Sequence, residues 1–99
     1  MEAGKFTDEK GLNHEGIVMY CTAVCPYCVS AEQLLVERGV KHINKIRVDI
    51  DLTKREEMID LTGKTSVPQI FISGNYIGGC DDLYELDSVG RLLPMLDPA

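Results

Sequence analysis

Two cysteines separated by two residues, Cys25 and Cys28, are the side chains of this sequence best suited to chemistry. They follow the apolar run 17–20 and open a segment with helical spacing, so they lie where a strand passes into a helix. Pro26 has no backbone N–H and a φ suited to the first helical position, which predicts Cys25 as the N-cap. The Cys25 sulfur would then face unpaired N–H groups and the positive end of the helix dipole, which favour the thiolate.

Cys28 lies three residues further on, over the same helical face, where its sulfur can reach Cys25 without a change of backbone. Such a pair near a strand–helix–strand pattern is typical of a redox dithiol. Cys25 is therefore predicted to be the attacking thiol and Cys28 the thiol that resolves the intermediate.

The four cysteines permit two other uses, a zinc site and a framework of structural disulfides. Zinc would need Cys21 and Cys80 beside the CxxC pair, but a single CxxC with proline in its spacer fits zinc poorly. Structural disulfides are disfavoured because the sequence shows no signal peptide and its 44% apolar content can build a core unaided. We expect no metal ligands, and we expect Cys21 and Cys80 to be small buried hydrophobic residues.

The 99 residues suffice for one domain with one core. A net charge of −6 with scattered basic residues argues against nucleic acid as a partner. No stretch of the sequence is long and apolar enough to span a membrane, so no membrane partner is expected. Residues 1–15 lack apolar periodicity and are interpreted as a mobile leader, which leaves 16–99 as the domain.

The rest of the chain divides into short strands and helices. The run 17–21 predicts a strand buried on both faces, and 26–38 predicts a helix that ends at Gly39. Residues 45–51 alternate between apolar and polar side chains, which predicts a half-exposed edge strand. Thr53 with Glu56 three residues later predicts a capping box for the next helix, which ends near Gly63.

Strands are predicted at 69–72 and 76–77, joined by a hairpin turn at 73–75. A third helix is predicted to begin near Asp81 and to end at Ser88, with a short helical turn at 92–96. The order βαβαββα predicts an α/β fold of the thioredoxin-like kind, a four-stranded mixed sheet with helices on both faces. Its redox pair would lie at the carboxyl end of the first strand.

Three segments together resemble a dithiol glutaredoxin of the bacterial glutaredoxin 3 class. They are the CPYC motif at 25–28, TSVPQIFI at 65–72 and GGCDDL at 78–83. The resemblance implies a glutathione-dependent thiol–disulfide oxidoreductase that reduces protein disulfides and glutathione mixed disulfides. It implies glutathione as co-substrate, no permanently bound cofactor, and disulfide-containing or glutathionylated proteins as partners. We expect a cytoplasmic monomer.

The resemblance also implies a glutathione site formed by eight residues: Tyr27, Arg55, Val67, Pro68, Gly79, Cys80, Asp81 and Asp82. Val67 and Pro68 resemble the cis-proline corner of the family, where the Val67 backbone pairs with the cysteine of glutathione. The N–H groups of Cys80 and Asp81 would receive the γ-glutamyl carboxylate. Either Asp81 or Asp82 would accept from the α-ammonium, and Arg55 would contact the glycyl carboxylate or remain a solvated surface charge.

Thr22 departs from the family pattern, which usually has lysine three residues before the first active-site cysteine. The missing charge is expected to weaken the contact with a glutathione carboxylate, with Arg55 or Lys64 as the residues that could compensate. One alternative function stays open: an iron–sulfur cluster carrier in which Cys25 and glutathione ligate a cluster shared by two subunits. By resemblance, Pro26 directly after Cys25 disfavours that role.

Overall fold

The computed structural model describes residues 16–96, and the predicted leader 1–15 lies outside them. The described part contains four strands and four helices. In chain order they are β1 (Ile17–Cys21), α1 (Pro26–Glu37), β2 (Asn44–Arg47), α2 (Leu52–Thr62), β3 (Gln69–Ile72), β4 (Asn75–Gly78), α3 (Cys80–Ser88) and α4 (Leu92–Leu96). This is the predicted order, and the expected turn at 92–96 is the short helix α4.

The four strands form one mixed sheet in the order β2-β1-β3-β4. β1 runs parallel to β2 and antiparallel to β3, and β3 and β4 form an antiparallel hairpin. The prediction that the first strand is buried on both faces is confirmed, because four of the five residues of β1 are buried. β2 is an edge strand, as its alternating pattern indicated.

The core lies on both faces of the sheet, which confirms the predicted layering. On one face, α1, α3 and α4 pack against the sheet through residues such as Met19, Leu35 and Leu83, each 0% exposed. On the other face, Met58 of α2 packs against Tyr20 and Val48. β1 therefore contacts both halves of the core, and its carboxyl end is held on either side by neighbouring strands.

The predicted second strand was too long. β2 ends at Arg47, and the Asp51 N–H donates to the Arg47 carbonyl at 3.3 Å, which turns the chain out of the sheet. Val48 is still buried, but Ile50, the next apolar residue of the alternation, is 70% exposed. The alternating pattern continued beyond the strand because it contains no information on where the backbone turns.

The predicted capping box at Thr53 was also wrong. Asp51 is the N-cap of α2, and its carboxylate accepts hydrogen bonds from the Thr53 N–H at 3.0 Å and the Thr53 hydroxyl at 2.6 Å. Asp is at least as good an N-cap as Thr, and it comes two residues earlier. The predicted end of α2 is confirmed, since Gly63 takes the left-handed conformation at φ 73°.

The predicted hairpin turn is confirmed, but it is one residue shorter than the predicted range 73–75. Ser73 and Gly74 both have positive φ, at 51° and 84°, as a type I′ turn requires. Asn75 already belongs to β4 and pairs with Ile72.

Within residues 16–96, no helix has the length and apolar character needed to cross a membrane.

Candidate active site

Cys25 is the N-cap of α1, as the sequence predicted. Its backbone is extended, with φ −149° and ψ 100°, and its Sγ accepts a hydrogen bond from the Cys28 N–H at 3.2 Å. This bond gives an otherwise unpaired helix N–H a partner, and it places the Cys25 sulfur at the N-terminus of α1. Cys25 is partly exposed, so an external disulfide can approach it.

Cys28 occupies a different environment within the first turn of the same helix. It is buried, and burial raises the pKa of its thiol to about 12, with the hydrogen bond to Cys25 acting in the same direction. A hydrogen bond from the Thr22 backbone opposes this rise in pKa but does not cancel it. Cys28 is therefore a protonated thiol at neutral pH, suited to react only after a disulfide has formed on Cys25.

This contrast predicts the order in which the thiols are alkylated. At neutral pH we expect iodoacetamide to modify Cys25 first and to leave Cys28 largely unmodified, because the thiolate is the reactive form. The rate at Cys28 should rise as the pH approaches about 12. Timed alkylation of the reduced protein followed by peptide mass spectrometry measures both rates. Equal rates at Cys25 and Cys28 at neutral pH would contradict the assignment.

Val67 brings a distant segment of backbone to the Cys25 sulfur. The Cys25 thiol donates to the Val67 carbonyl at 3.8 Å, across a sequence separation of 42 residues. The peptide bond between Val67 and Pro68 is cis, as the resemblance implied. Pro68 is buried and Val67 is partly buried. Pro68 therefore packs inside the protein, while the Val67 carbonyl faces Cys25.

A groove with a volume of about 230 Å³ lies between the CxxC motif and the start of α3. It unites five of the residues that the resemblance assigned to glutathione binding: Tyr27, Gly79, Cys80, Asp81 and Asp82. Lys64, which the sequence suggested as a compensating charge, also lines it, together with three residues that the sequence did not suggest: Ser66, Gln69 and Tyr76. The groove combines one cationic side chain, two carboxylates and two phenol rings, so it suits a small zwitterionic ligand.

Arg55 does not line this groove. It lies exposed on α2, and the basic side chain on the groove wall is Lys64. Lys64 directly follows Gly63, whose left-handed conformation ends α2 and redirects the chain towards Val67. The assignment of Arg55 to the glycyl carboxylate therefore stays a prediction, and Lys64 is the better-placed cation.

The start of α3 is shaped by Asp82 and two glycines. Asp82 Oδ2 accepts a hydrogen bond from the Gly79 N–H at 2.9 Å, so this carboxylate is used within the protein. Gly78 has φ 121°, and a Cβ there would overlap the Asp82 side chain. At Gly79, the glycine that the sequence singled out, an added Cβ would stand 3.3 Å from the Pro68 carbonyl oxygen. Gly79 thus lets the helix start approach the proline corner closely, and Gly78 is the more restrictive of the two positions.

Gln69 is a buried polar residue that joins two walls of the groove. Its Nε2 donates to the Ser66 carbonyl at 3.0 Å, and its Oε1 accepts from the Tyr76 hydroxyl at 2.6 Å. A buried amide with both ends satisfied holds its partners in one arrangement. This bridge could not be predicted from the sequence, because Tyr76 approaches Gln69 only through the hairpin of β3 and β4.

The cysteines do not assemble into a metal site. Within residues 16–96, no group of three or more His, Cys, Asp or Glu side chains converges in a way that could hold an ion. Cys21 and Cys80 are both buried, as expected for small hydrophobic residues. Burial raises the pKa of each of these thiols, which keeps them protonated and unreactive.

A second cavity, with a volume of about 300 Å³, is lined by Cys25 and Cys28 themselves, neither of which lines the groove, and it shares no lining residue with the groove. Thr22 lies here, together with Lys45 and Arg47 of β2. Both cations are already paired: Lys45 with Glu32 at 3.1 Å and Arg47 with Asp49 at 2.7 Å. Thr22, at the position where the family usually has lysine, thus lies near Lys45 and Arg47 of β2 and does not line the groove.

Comparison with known proteins gives a consistent result. The family model described as glutaredoxin matches residues 17–77. The chain is 49% identical over 80 residues to glutaredoxin 3 of Escherichia coli strain K12, an alignment that covers 81% of this chain and 95% of the relative. It is 46% identical over 82 residues to a glutaredoxin of Neisseria meningitidis strain Z2491, covering 83% and 96%.

Solved structures show the same fold. The buckwheat glutaredoxin–glutathione complex superposes with a TM-score of 0.77 at 30% identity, covering 83% of this chain and 76% of that one. The solution structure of a dithiolic glutaredoxin from Trypanosoma brucei brucei gives a TM-score of 0.75 at 41% identity, covering 84% and 88%. With a CxxC pair at the start of α1, a thioredoxin-like sheet and these relatives, the chain belongs to the glutaredoxin family of glutathione-dependent oxidoreductases.

Proposed function

We propose that this protein reduces glutathione mixed disulfides and protein disulfides by dithiol exchange at Cys25 and Cys28. The observation that supports this most directly is the placement of the Cys25 sulfur. It accepts from the Cys28 N–H and lies 3.8 Å from the Val67 carbonyl, beside a groove suited to a small zwitterion. Cys25 is thus accessible and hydrogen-bonded, whereas Cys28 is buried and protonated.

Glutathione is proposed to lie in the groove with its sulfur towards Cys25. The Val67 backbone would pair with its cysteine residue, while Gly79 permits the close approach. The N–H groups of Cys80 and Asp81, at the start of α3, would receive the γ-glutamyl carboxylate. Asp82 already accepts from Gly79, so the exposed Asp81 carboxylate is the better partner for the α-ammonium.

The proposed reaction is a series of thiol–disulfide exchanges. The Cys25 thiolate attacks one sulfur of the substrate disulfide, and the other sulfur leaves as a thiolate that takes up a proton. With a protein disulfide, Cys28 loses its proton and attacks the Cys25 sulfur, which expels the substrate and leaves a Cys25–Cys28 disulfide. Two glutathione molecules then reduce that disulfide and become glutathione disulfide. With a glutathionylated substrate, one glutathione releases Cys25 directly.

A coupled assay tests the proposal. Turnover of a small glutathione mixed disulfide is followed with glutathione, glutathione reductase and its nicotinamide reductant. We expect turnover that depends on both the protein and glutathione. No turnover, together with a brown colour on anaerobic purification, would favour the cluster-carrier alternative instead.

Asp81 provides a test of the proposed glutathione orientation. We expect Asp81→Ala to raise the KM for glutathione about three- to tenfold, because an exposed charge-assisted hydrogen bond to the ammonium is lost. The matched control is Asp60→Ala, which removes one exposed carboxylate from α2 away from the groove lining. The effect at Asp81 should decrease with added salt. Equal KM values for the two variants would show that Asp81 does not bind the ammonium.

We further propose that the protein acts as a monomer in the cytoplasm. Cys25, the proline corner and the start of α3 all come from one chain, so the proposed site needs no second subunit. A dithiol reduced by glutathione suits a compartment in which thiols are kept reduced.

A further inference from the structure

The short loop from Thr22 to Val24 connects the end of β1 to the catalytic Cys25. Side-chain packing contributes little to its position, because Ala23 is exposed and Val24 is 90% exposed. A loop that buries no apolar surface needs another constraint to hold one conformation. The structure provides one: the Ala23 N–H donates to Asp49 Oδ2 at 3.2 Å, across 26 residues of sequence.

Asp49 is itself held firmly. Arg47 donates to its carboxylate through two bonds, Nε to Oδ1 at 2.7 Å and a terminal guanidinium nitrogen to Oδ2 at 2.8 Å. Such a two-bond arrangement fixes the orientation of the carboxylate as well as its distance. The Arg47 hydrogen bonds hold the pKa of Asp49 well below its usual value, so the acceptor remains ionised at neutral pH.

The backbone next to the Arg47–Asp49 pair is hydrogen-bonded to β1, the strand that leads into the loop 22–24. Arg47 is the register partner of Cys21 in the parallel pairing of β1 and β2. The Val48 N–H donates to the Cys21 carbonyl at 3.0 Å, and Val48 is buried. Asp49 therefore projects from a rigid point beside the end of β1.

The loop is connected to both cysteines, to Cys28 through the Thr22 backbone and to Cys25 along the chain. The Thr22 N–H hydrogen-bonds to the Cys28 sulfur, a contact that lowers the pKa of that thiol. The next residue, Ala23, is the one bound by Asp49, and Cys25 follows two residues later. A displacement of Ala23 would consequently alter the position of the Cys25 sulfur relative to Cys28.

We propose that Asp49 is a positioning residue for Cys25, which acts by fixing the loop at Ala23 and is itself oriented by Arg47. The inference rests on the proposed function, in which Cys25 is the nucleophile. Asp49 lies outside the lining of both the glutathione groove and the second cavity, so it need not contact substrate. It affects the reaction through the geometry of the nucleophile.

The chain contains a matched control. Arg38 and Asp87 form an ion pair with the same two-bond geometry, at 2.7 and 2.8 Å, between the C-terminal ends of α1 and α3. Asp87→Ala removes an equivalent pair without touching the loop. Asp49→Asn keeps a side-chain oxygen that can accept from Ala23, whereas Asp49→Ala and Asp49→Leu remove it.

The experiment measures three quantities for each variant: kcat/KM for a glutathione mixed disulfide, the KM for glutathione, and the rate of Cys25 alkylation per folded molecule. We expect Asp49→Ala to lower kcat/KM and the alkylation rate about tenfold, as a small misplacement of a reacting group can do. The KM for glutathione should stay within about twofold, because the groove is unchanged. Asp49→Asn should recover most of the loss, and Asp87→Ala should resemble the wild type.

Several results would overturn the inference. They are equal behaviour of Asp49→Ala and Asp87→Ala, no recovery in Asp49→Asn, or a parallel rise in the KM for glutathione. If Asp49→Ala does not fold, Asp49→Leu takes its place under the same criteria. A wild-type protein without turnover would refute the proposed function, whereas the alkylation rate would still test the role of Asp49.

Discussion

Replacing Cys25 with serine should abolish both the deglutathionylation of substrates and the reduction of protein disulfides. We expect each rate to fall by at least about a thousandfold, as when other enzymes lose their nucleophile. Cys28 cannot take over, because it is buried and its pKa is raised to about 12. Both rates are measured at one pH with the glutathione reductase couple.

Cys28→Ser should separate the two activities. Deglutathionylation needs one attacking sulfur, since a second glutathione can release Cys25, so this rate should be largely retained. Protein-disulfide reduction should fall on the order of ten- to a hundredfold, because the intramolecular attack that expels the substrate is lost. If Cys28→Ser abolished deglutathionylation as completely as Cys25→Ser, the assignment of nucleophile and resolving thiol would have to be abandoned.

Leu83→Ala should give the largest loss of stability among the single changes considered. Leu83 is 0% exposed and anchors α3 in the core cluster that also contains residues of α1. Truncating a buried leucine to alanine costs about 2 to 5 kcal/mol, from the lost burial and the cavity that remains. Urea denaturation followed by circular dichroism measures the free energy of unfolding.

The control for this change is Leu93→Ala in α4. Leu93 is 54% exposed, so the same truncation should change the unfolding free energy by less than about 0.5 kcal/mol. Because the start of α3 forms one side of the groove, Leu83→Ala should also raise the KM for glutathione in the remaining folded protein. Similar stability losses in both leucine variants would contradict this account of the core.

The parts of the fold that were predictable from sequence depend on local chemistry. Pro26 after a cysteine predicted the helix start at the nucleophile, and Gly63 predicted the end of α2. The continuous apolar run of β1 correctly indicated a central strand. Each of these signals acts over a few residues, through a fixed φ, a missing side chain or a continuous apolar surface.

The predictions that failed concern features that are determined by tertiary contacts. The end of β2 and the N-cap at Asp51 depend on a turn that the alternating pattern does not encode. Tyr76 reaches the groove only through the path of the folded chain, and Asp49 meets Ala23 only because β1 and β2 are parallel. Such residues are not related by any fixed spacing in the sequence. The positions of the two thiols could therefore be predicted, but the full set of residues that line the groove could not.

The separation of 42 residues between Cys25 and Val67 also has a consequence for synthesis of the protein. During translation the CxxC motif leaves the ribosome well before the proline corner and the start of α3. Until β3 pairs with β1, the nascent chain carries its two cysteines without the proline corner and the start of α3 beside them. If the groove binds glutathione as proposed, this binding begins only when the second half of the chain has folded against the first.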